Sequence, residues 1–362
     1  MREDEIGVFV PTSLCLRKTT PRIPQGSLDC SSTSFHLFFH YKYENCELNL
    51  NSSETTDISM AFIQYLKINL CSVVLLLLLF HQVSYGVDLQ PNDIIAPIPN
   101  KNYISLSYQN SQSTSFYKSG SIISNGPYSN PVINTNATIA RISRTYEVQN
   151  LPAVSYLQLP YSSITTSGSL SAFAGDAGIG DMALATAIWP YYDHQTRTYF
   201  GVAGYLIAPT GSYSNQNVFN VGENRYKYDL QMGFHKGIMR NLDGSIAIDT
   251  MWYGGNSQCA ASCGSITNQS LLQKPLTTVQ TSLIYTINPI FTVAATYFYV
   301  WGGETLINNQ FQNNEINTQR YLLSGQANMP FGRLSLQYGR DMEVTNGLIQ
   351  SRVLFFRYLR EF

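Results

Sequence analysis

The residues best suited to chemistry lie in one short run, RYKYDLQMGFHKG, from Arg225 to Gly237. His235 follows an acid, Asp229, by six residues. A serine activated by His235, with Asp229 behind it, would be a hydrolytic nucleophile of the Ser-His-acid kind. Two features oppose that chemistry. No G-x-S-x-G elbow occurs in the chain. The polar residues also recur at alternate positions: Arg225, Lys227, Asp229, Gln231 and His235, with Gly233 among them, alternate with Tyr226, Tyr228, Leu230, Met232 and Phe234. A period of two belongs to a strand. The charged set is then one face of a wall, and His235 faces the same way as the other polar residues.

Two further clusters invite a chemical reading. GDAGIGD, residues 175–181, could wrap calcium in the loose manner of Gly/Asp repeats, but it occurs once and reads as a turn entering the next strand. It cradles no phosphate either. In QCAASCG, Cys259 and Cys263 lie four residues apart with no His or further Cys nearby. Two thiols are too few for a metal centre, and in an oxidising compartment the pair closes a small disulfide loop. No cofactor is implied.

The elements that position these residues are strands throughout. Period-two runs place twelve of them near 102–112, 134–147, 152–163, 180–192, 196–209, 223–237, 244–254, 275–287, 290–301, 316–328, 331–343 and 350–361. Their connections alternate. Short turns such as VQNL, YDHQ, MRNLDG, INPI and NMPFG are separated by long Ser/Asn/Gly-rich links, with the short EVTNGLIQ as the last of the second set. An even strand number with short turns at one end and long polar loops at the other predicts an all-β fold, a transmembrane antiparallel up-and-down barrel. Tyr226, Tyr228, Trp252, Tyr253, Trp301, Trp189, Tyr191 and Tyr192 fall near strand ends, as interfacial aromatic girdles do.

Composition agrees with this reading. Only 12% of the 362 residues are charged, and 25 are tyrosine. Mean hydropathy is −0.10, with one strongly apolar segment, which leaves no bundle of spanning helices. That segment belongs to MAFIQYLKINLCSVVLLLLLFHQVSYG: Lys67 in a short leader, an apolar run from about Leu70, then Ser84 and Gly86 at the cleavage positions. Residues 60–86 are therefore expected to be a secretory signal peptide. Residues 1–59 become a non-native or disordered extension, with Met60 as the expected true start. Residues 87–362 form the barrel. This mature part has 16 Lys+Arg and 15 Asp+Glu, so charge points to no nucleic-acid partner.

The expected partners are outer-membrane lipid, the barrel assembly machinery and a small permeant of unknown identity. Lipid offers nothing to backbone N–H and C=O groups, so only a closed sheet satisfies them there. The apolar set then faces lipid and the polar set a lumen. Arg225, Lys227, Asp229, Gln231 and His235 become lumen-lining candidates, together with Asp249, Arg333, Gln337, Asp341 and Arg357. Rings of such charges select permeants, or they pair across the lumen and fill it. YFGVAGYLIAP and FTVAATYFYVW are apolar on both sides, so their facing stays open. At the C-terminus Leu354, Phe356, Tyr358 and Phe362 form an aromatic assembly signal, interrupted by Arg360. No separate plug domain is expected.

Several ordered blocks carry a family resemblance: GDAGIGDMALATAIWP (175–190), TYFGVAGYLIAPTGSY (198–213), NVGENRYKYDLQMGFHKG (220–237), WYGGN (252–256), WGGETLINNQ with NTQR (301–320), and LQYGRDMEVTNG (336–347). With the opening VDLQPNDIIAPIPNKNYISLSY, the chain from Val87 onward resembles the outer-membrane proteins associated with the meta-pathway of phenol degradation. That resemblance implies a barrel passing small aromatic or hydrophobic compounds across the outer membrane of a Gram-negative bacterium, without catalysis. The alternatives are a structural or adhesive barrel that binds a partner through its long loops, and a phospholipase-like barrel enzyme.

Overall fold

The computed structural model describes residues 88–125 and 128–362; the expected N-terminal extension and signal peptide lie outside them. Among the described residues, twelve long strands build the wall. They are β1 (Asn102–Lys118), β2 (Pro131–Val148), β3 (Leu151–Gly168), β4 (Met182–Asp193), β5 (Thr198–Ala208) and β6 (Lys227–Met239). The second half comprises β7 (Leu242–Tyr253), β8 (Leu276–Thr286), β9 (Phe291–Gly302), β10 (Ile316–Met329), β11 (Gly332–Val344) and β12 (Gly347–Glu361). Each pairs antiparallel with its sequence neighbour, and β12 closes on β1 from Tyr103↔Glu361 to Tyr117↔Gly347. Closure leaves no edge to satisfy in lipid.

Alternation in the sequence becomes alternation in exposure. Along β6, Asp229, Gln231 and His235 are buried inside the barrel, while Tyr228, Leu230, Met232 and Phe234 are exposed on its outer face. The two strands apolar on both sides are now assigned. Tyr199, Ala203, Tyr205 and Ile207 of β5, and Thr292, Ala294, Thr296 and Phe298 of β9, turn inward. Leu354, Phe356 and Tyr358 alternate with the inward Val353 and Arg357 on β12, and Phe362 lies just beyond it.

Trp189 and Tyr253 depart from the girdle expected of them. Trp189 is buried, and its indole points into the barrel; a register shift between Ile188 and Tyr191 re-aims the strand there. Tyr253 is opposite the inward Lys227, and Arg225 lies 4.6 Å above its ring.

The long-loop end is built up. A four-stranded sheet made from 256–259, 269–273, 305–307 and 310–311 rises beside the barrel, and the Cys259–Cys263 disulfide ties its first turn. GDAGIGD does more than turn. Asp176 to Ile179 forms a short strand that pairs with Tyr161–Ile164 of β3, so β4 meets β3 only from Ala153 to Gln158. Its carboxylates are used in holding the next loop: Asp176 accepts the Val221 N–H at 2.8 Å, and Asp181 accepts those of Gly211 and Glu223 at 2.9 and 3.0 Å.

Candidate functional site

The segment that precedes β1 contains Pro91, Pro97 and Pro99, which cannot donate to a sheet ladder and keep it out of the wall. It runs inside the barrel instead. At the short-turn end, Thr145 of β2 accepts from Lys101 N–H at 2.9 Å and donates its hydroxyl to the Ile98 carbonyl at 2.7 Å. Deeper in, the Trp189 indole N–H donates to the Ile94 carbonyl at 2.7 Å. Two glutamines read the backbone further along: Gln326 donates to Pro91 O and Gln280 to Leu89 O, at 2.8 and 2.7 Å. Arg357 holds Asp93 with two hydrogen bonds, at 2.7 and 3.1 Å. Arg320 reaches Asp88 at 3.6 Å and Asp341 at 2.8 Å.

The wall is notched to receive this segment. Gly201 of β5 and Gly233 of β6 are register partners. A Cβ on Gly233 would come within 3.0 Å of the Ile94 side chain, and one on Gly201 within 3.1 Å of the Trp189 indole. That explains the glycine on the polar face of RYKYDLQMGFHKG. A missing side chain there makes room for a segment far away in sequence.

Between the segment and the wall lies a cavity of about 590 Å³, lined by Arg141, Tyr156, Tyr205, Arg333 and Arg357 among others. Tyr156 and Tyr205 meet edge to face with centroids 6.2 Å apart, and the Arg141 guanidinium sits 4.1 Å above the Tyr156 ring. From Tyr205 a polar chain leads on: its hydroxyl donates to Gln231 at 2.8 Å, and Gln231 donates to Asp249 at 3.4 Å.

The candidate lumen residues are therefore not one ring. Asp229 and Asp249 lie within electrostatic reach of each other and of Asp88, toward the long-loop end. Both carboxylate oxygens of Asp229 are buried without a hydrogen-bond partner among the described residues. Arg333 and Arg357 act on Asp93 from the short-turn half. Gln337 of β11 is buried and donates to Ser324 at 2.9 Å. Asp341 accepts the Gln350 N–H at 2.7 Å, standing in for a ladder bond where β11 and β12 part beyond Gly339. His235 is fully buried at the short-turn end, with Nε2 3.4 Å from Asp243, not from Asp229. Among the described residues neither ring nitrogen meets a hydroxyl, so they form no Ser-His-acid array around it.

Arg225 and Lys227 belong to a separate cluster at the long-loop mouth. Arg225 precedes β6, and with Lys227 it clasps Glu223 at 2.6 and 2.5 Å. Burial pushes the Glu223 carboxyl up, but the two cations outweigh it and hold the group down at about 2.

The luminal segment is what sequence reasoning missed. Its signal was present in three prolines, the two aspartates Asp88 and Asp93, and inward glycines at matched heights on two neighbouring strands.

Against known proteins, residues 114–358 match the family described as "Putative MetA-pathway of phenol degradation". The chain belongs to this family. Among solved structures it is similar to the COG4313 outer membrane channel from Pseudomonas putida F1, at 26% identity and a TM-score of 0.71, covering 76% of this chain and 100% of that one. A Pseudomonas aeruginosa FadL homologue aligns at 9% identity and a TM-score of 0.38, over 78% of this chain and 99% of that one. None of the curated proteins matches the sequence.

Proposed function

We propose that the chain is an outer-membrane channel through which small hydrophobic or aromatic solutes pass passively. One observation carries this reading: the closed barrel keeps a cavity of about 590 Å³ in its lumen, walled by tyrosines, beside a segment held largely by single hydrogen bonds and ion pairs. About eight strands enclose an interior that side chains just fill and about sixteen an aqueous channel, so a wall of twelve has room for a solute beside the segment. Family membership and the similarity to the Pseudomonas putida channel support the outer membrane as its location. In that setting the short turns face the periplasm and the long loops the exterior. Leu354, Phe356, Tyr358 and Phe362 would serve recognition by the assembly machinery.

The reading needs no catalysis. Swelling of liposomes containing the refolded chain tests it: neutral monoaromatic solutes should enter faster than sugars of similar mass. Failure of every solute to enter would refute it. The four-stranded loop sheet, with Ile266 fully exposed in the link between its first two strands, favours partner binding at the rim as a second reading. Binding of the chain to a cell surface, without solute passage, would support that alternative.

A further inference from the structure

We infer that the luminal cavity is a binding site for an aromatic carboxylate, its anion held by Arg141, Arg333 and Arg357 and its ring lodged against Tyr156 and Tyr205. The inference rests on the channel reading and names the class of permeant.

Charge is the first argument. Four guanidiniums line this cavity; among the described residues Arg357 has the carboxylate of Asp93 within ion-pair distance and Arg320 those of Asp88 and Asp341, while Arg141 and Arg333 have none. Arg141 hydrogen-bonds Gln158 at 2.6 and 3.1 Å, and Arg333 hydrogen-bonds Asn328 at 3.0 Å; both partners are neutral. Asp93 acts on Arg141 and Arg333 only from beyond ion-pair distance, so one carboxylate serves three cations, and cations short of counter-charge are costly to take out of bulk water. A wall that keeps two of them beside open space suits an anion that comes and goes. The buried Arg357 side chain also has an Nε with no partner, on the edge of the guanidinium that Asp93 does not use.

Chemistry of the anion is the second argument. Asp93 already displays what this site accepts: a planar carboxylate taken by two parallel N–H donors. A free carboxylate presents the same two oxygens. An ammonium would meet four guanidiniums there, with the lining carboxylates of Asp88 and Asp93 already beside Arg320 and Arg357. A neutral phenol or alcohol can accept one guanidinium hydrogen bond at its hydroxyl oxygen but brings no charge to neutralise Arg141 or Arg333. The ring is selected by Tyr156 and Tyr205, whose edge-to-face pairing leaves aromatic surface toward the cavity. A volume of about 590 Å³ admits one such molecule.

Titration calorimetry of the full chain in detergent tests this with benzoate, benzyl alcohol and benzylamine. Benzoate should bind at least about tenfold more tightly than either, since a charge-assisted pair contributes ~1.5–3 kcal/mol. Arg333→Gln and Arg141→Gln should each weaken benzoate about tenfold and leave benzyl alcohol unchanged, with Arg333→Lys recovering part of the loss. Heat-modified gel mobility confirms that each variant is folded. Equal affinity for benzoate and benzyl alcohol, or preference for benzylamine, overturns the inference. So does an Arg333→Gln variant that weakens all three probes alike. Liposome swelling separates the two readings. Benzoate bound with no solute passing refutes the channel and leaves the site; benzyl alcohol passing with no benzoate preference refutes the site and leaves the channel.

Discussion

Arg357 on β12 and Asp93 in the luminal segment are 264 residues apart and share two hydrogen bonds, at 2.7 and 3.1 Å. The Arg357 side chain is 7% exposed and that of Asp93 22%, so this pair is inside the barrel and only partly wet. Removing one partner of such a pair costs ~3 kcal/mol, chiefly because the other charge stays buried and unpaired. Asp93→Asn keeps the shape and removes the charge. It should free the segment around residues 90–95, raise single-channel conductance in planar bilayers, and lower the temperature at which the barrel loses its compact gel mobility. Conductance equal to wild type would mean that the segment does not obstruct the path.

Gly233 offers a test that leaves every charge in place. The nearest Ile94 side-chain atom is 3.0 Å from where a Cβ at Gly233 would be, a tight contact before any further methyl is added. Gly233→Val must push Ile94 and its neighbours off the wall, at ~1–3 kcal/mol of overpacking. The same rise in conductance as Asp93→Asn is expected, with the Trp189 fluorescence shifted because its bond to the Ile94 carbonyl is loosened. Gly204, whose added Cβ would meet nothing within 4 Å, is the control: Gly204→Ala should alter neither.

Much of this barrel was legible because strand facing is a local property. Leu230 and Gln231 declare their sides by their neighbours at two-residue spacing, and lipid forbids any unpaired edge. Phe298 and Tyr205 did not declare theirs, since both faces of their strands are apolar. Only the closed register decides them. Trp189 misled in the other direction. It sits near a strand end like a girdle residue, yet it serves a carbonyl 95 positions earlier. The partners of the candidate site were hidden for that same reason. That Arg357 meets Asp93 and His235 meets Asp243 depends on which strands become neighbours and on a segment outside the sheet altogether. Nothing in the alternation of β6 encodes either contact.

At the long-loop mouth, Glu223 ties Arg225 to Lys227. Its carboxyl is held at about 2, below its ordinary 4.5, so the folded mouth favours the ionised form. The group therefore contributes stability that is fully present above about pH 4.5 and is lost as pH falls toward 2. Protease susceptibility of the loop at residues 209–226 should rise over that interval while the barrel stays intact. Glu223→Gln should be susceptible already at neutral pH and show no further change on acidification. A wild-type loop equally resistant at pH 5 and pH 2.5 would rule out this role.

Leu323 lies midway along β10 and is 55% exposed on the outer face, next to the buried Ser324. If that face meets hydrocarbon, Leu323→Arg places a guanidinium near the centre of the bilayer and should destabilise the barrel by ~2–4 kcal/mol. Phe331, exposed in the turn between β10 and β11, sits where the interface should be. Phe331→Arg there should cost at most ~1 kcal/mol, since the penalty falls off toward the interfaces. Urea titrations of both variants in lipid vesicles measure the difference. Equal costs at the two positions would mean that the outer face is not in contact with lipid, and would remove the basis for reading this barrel as a membrane channel.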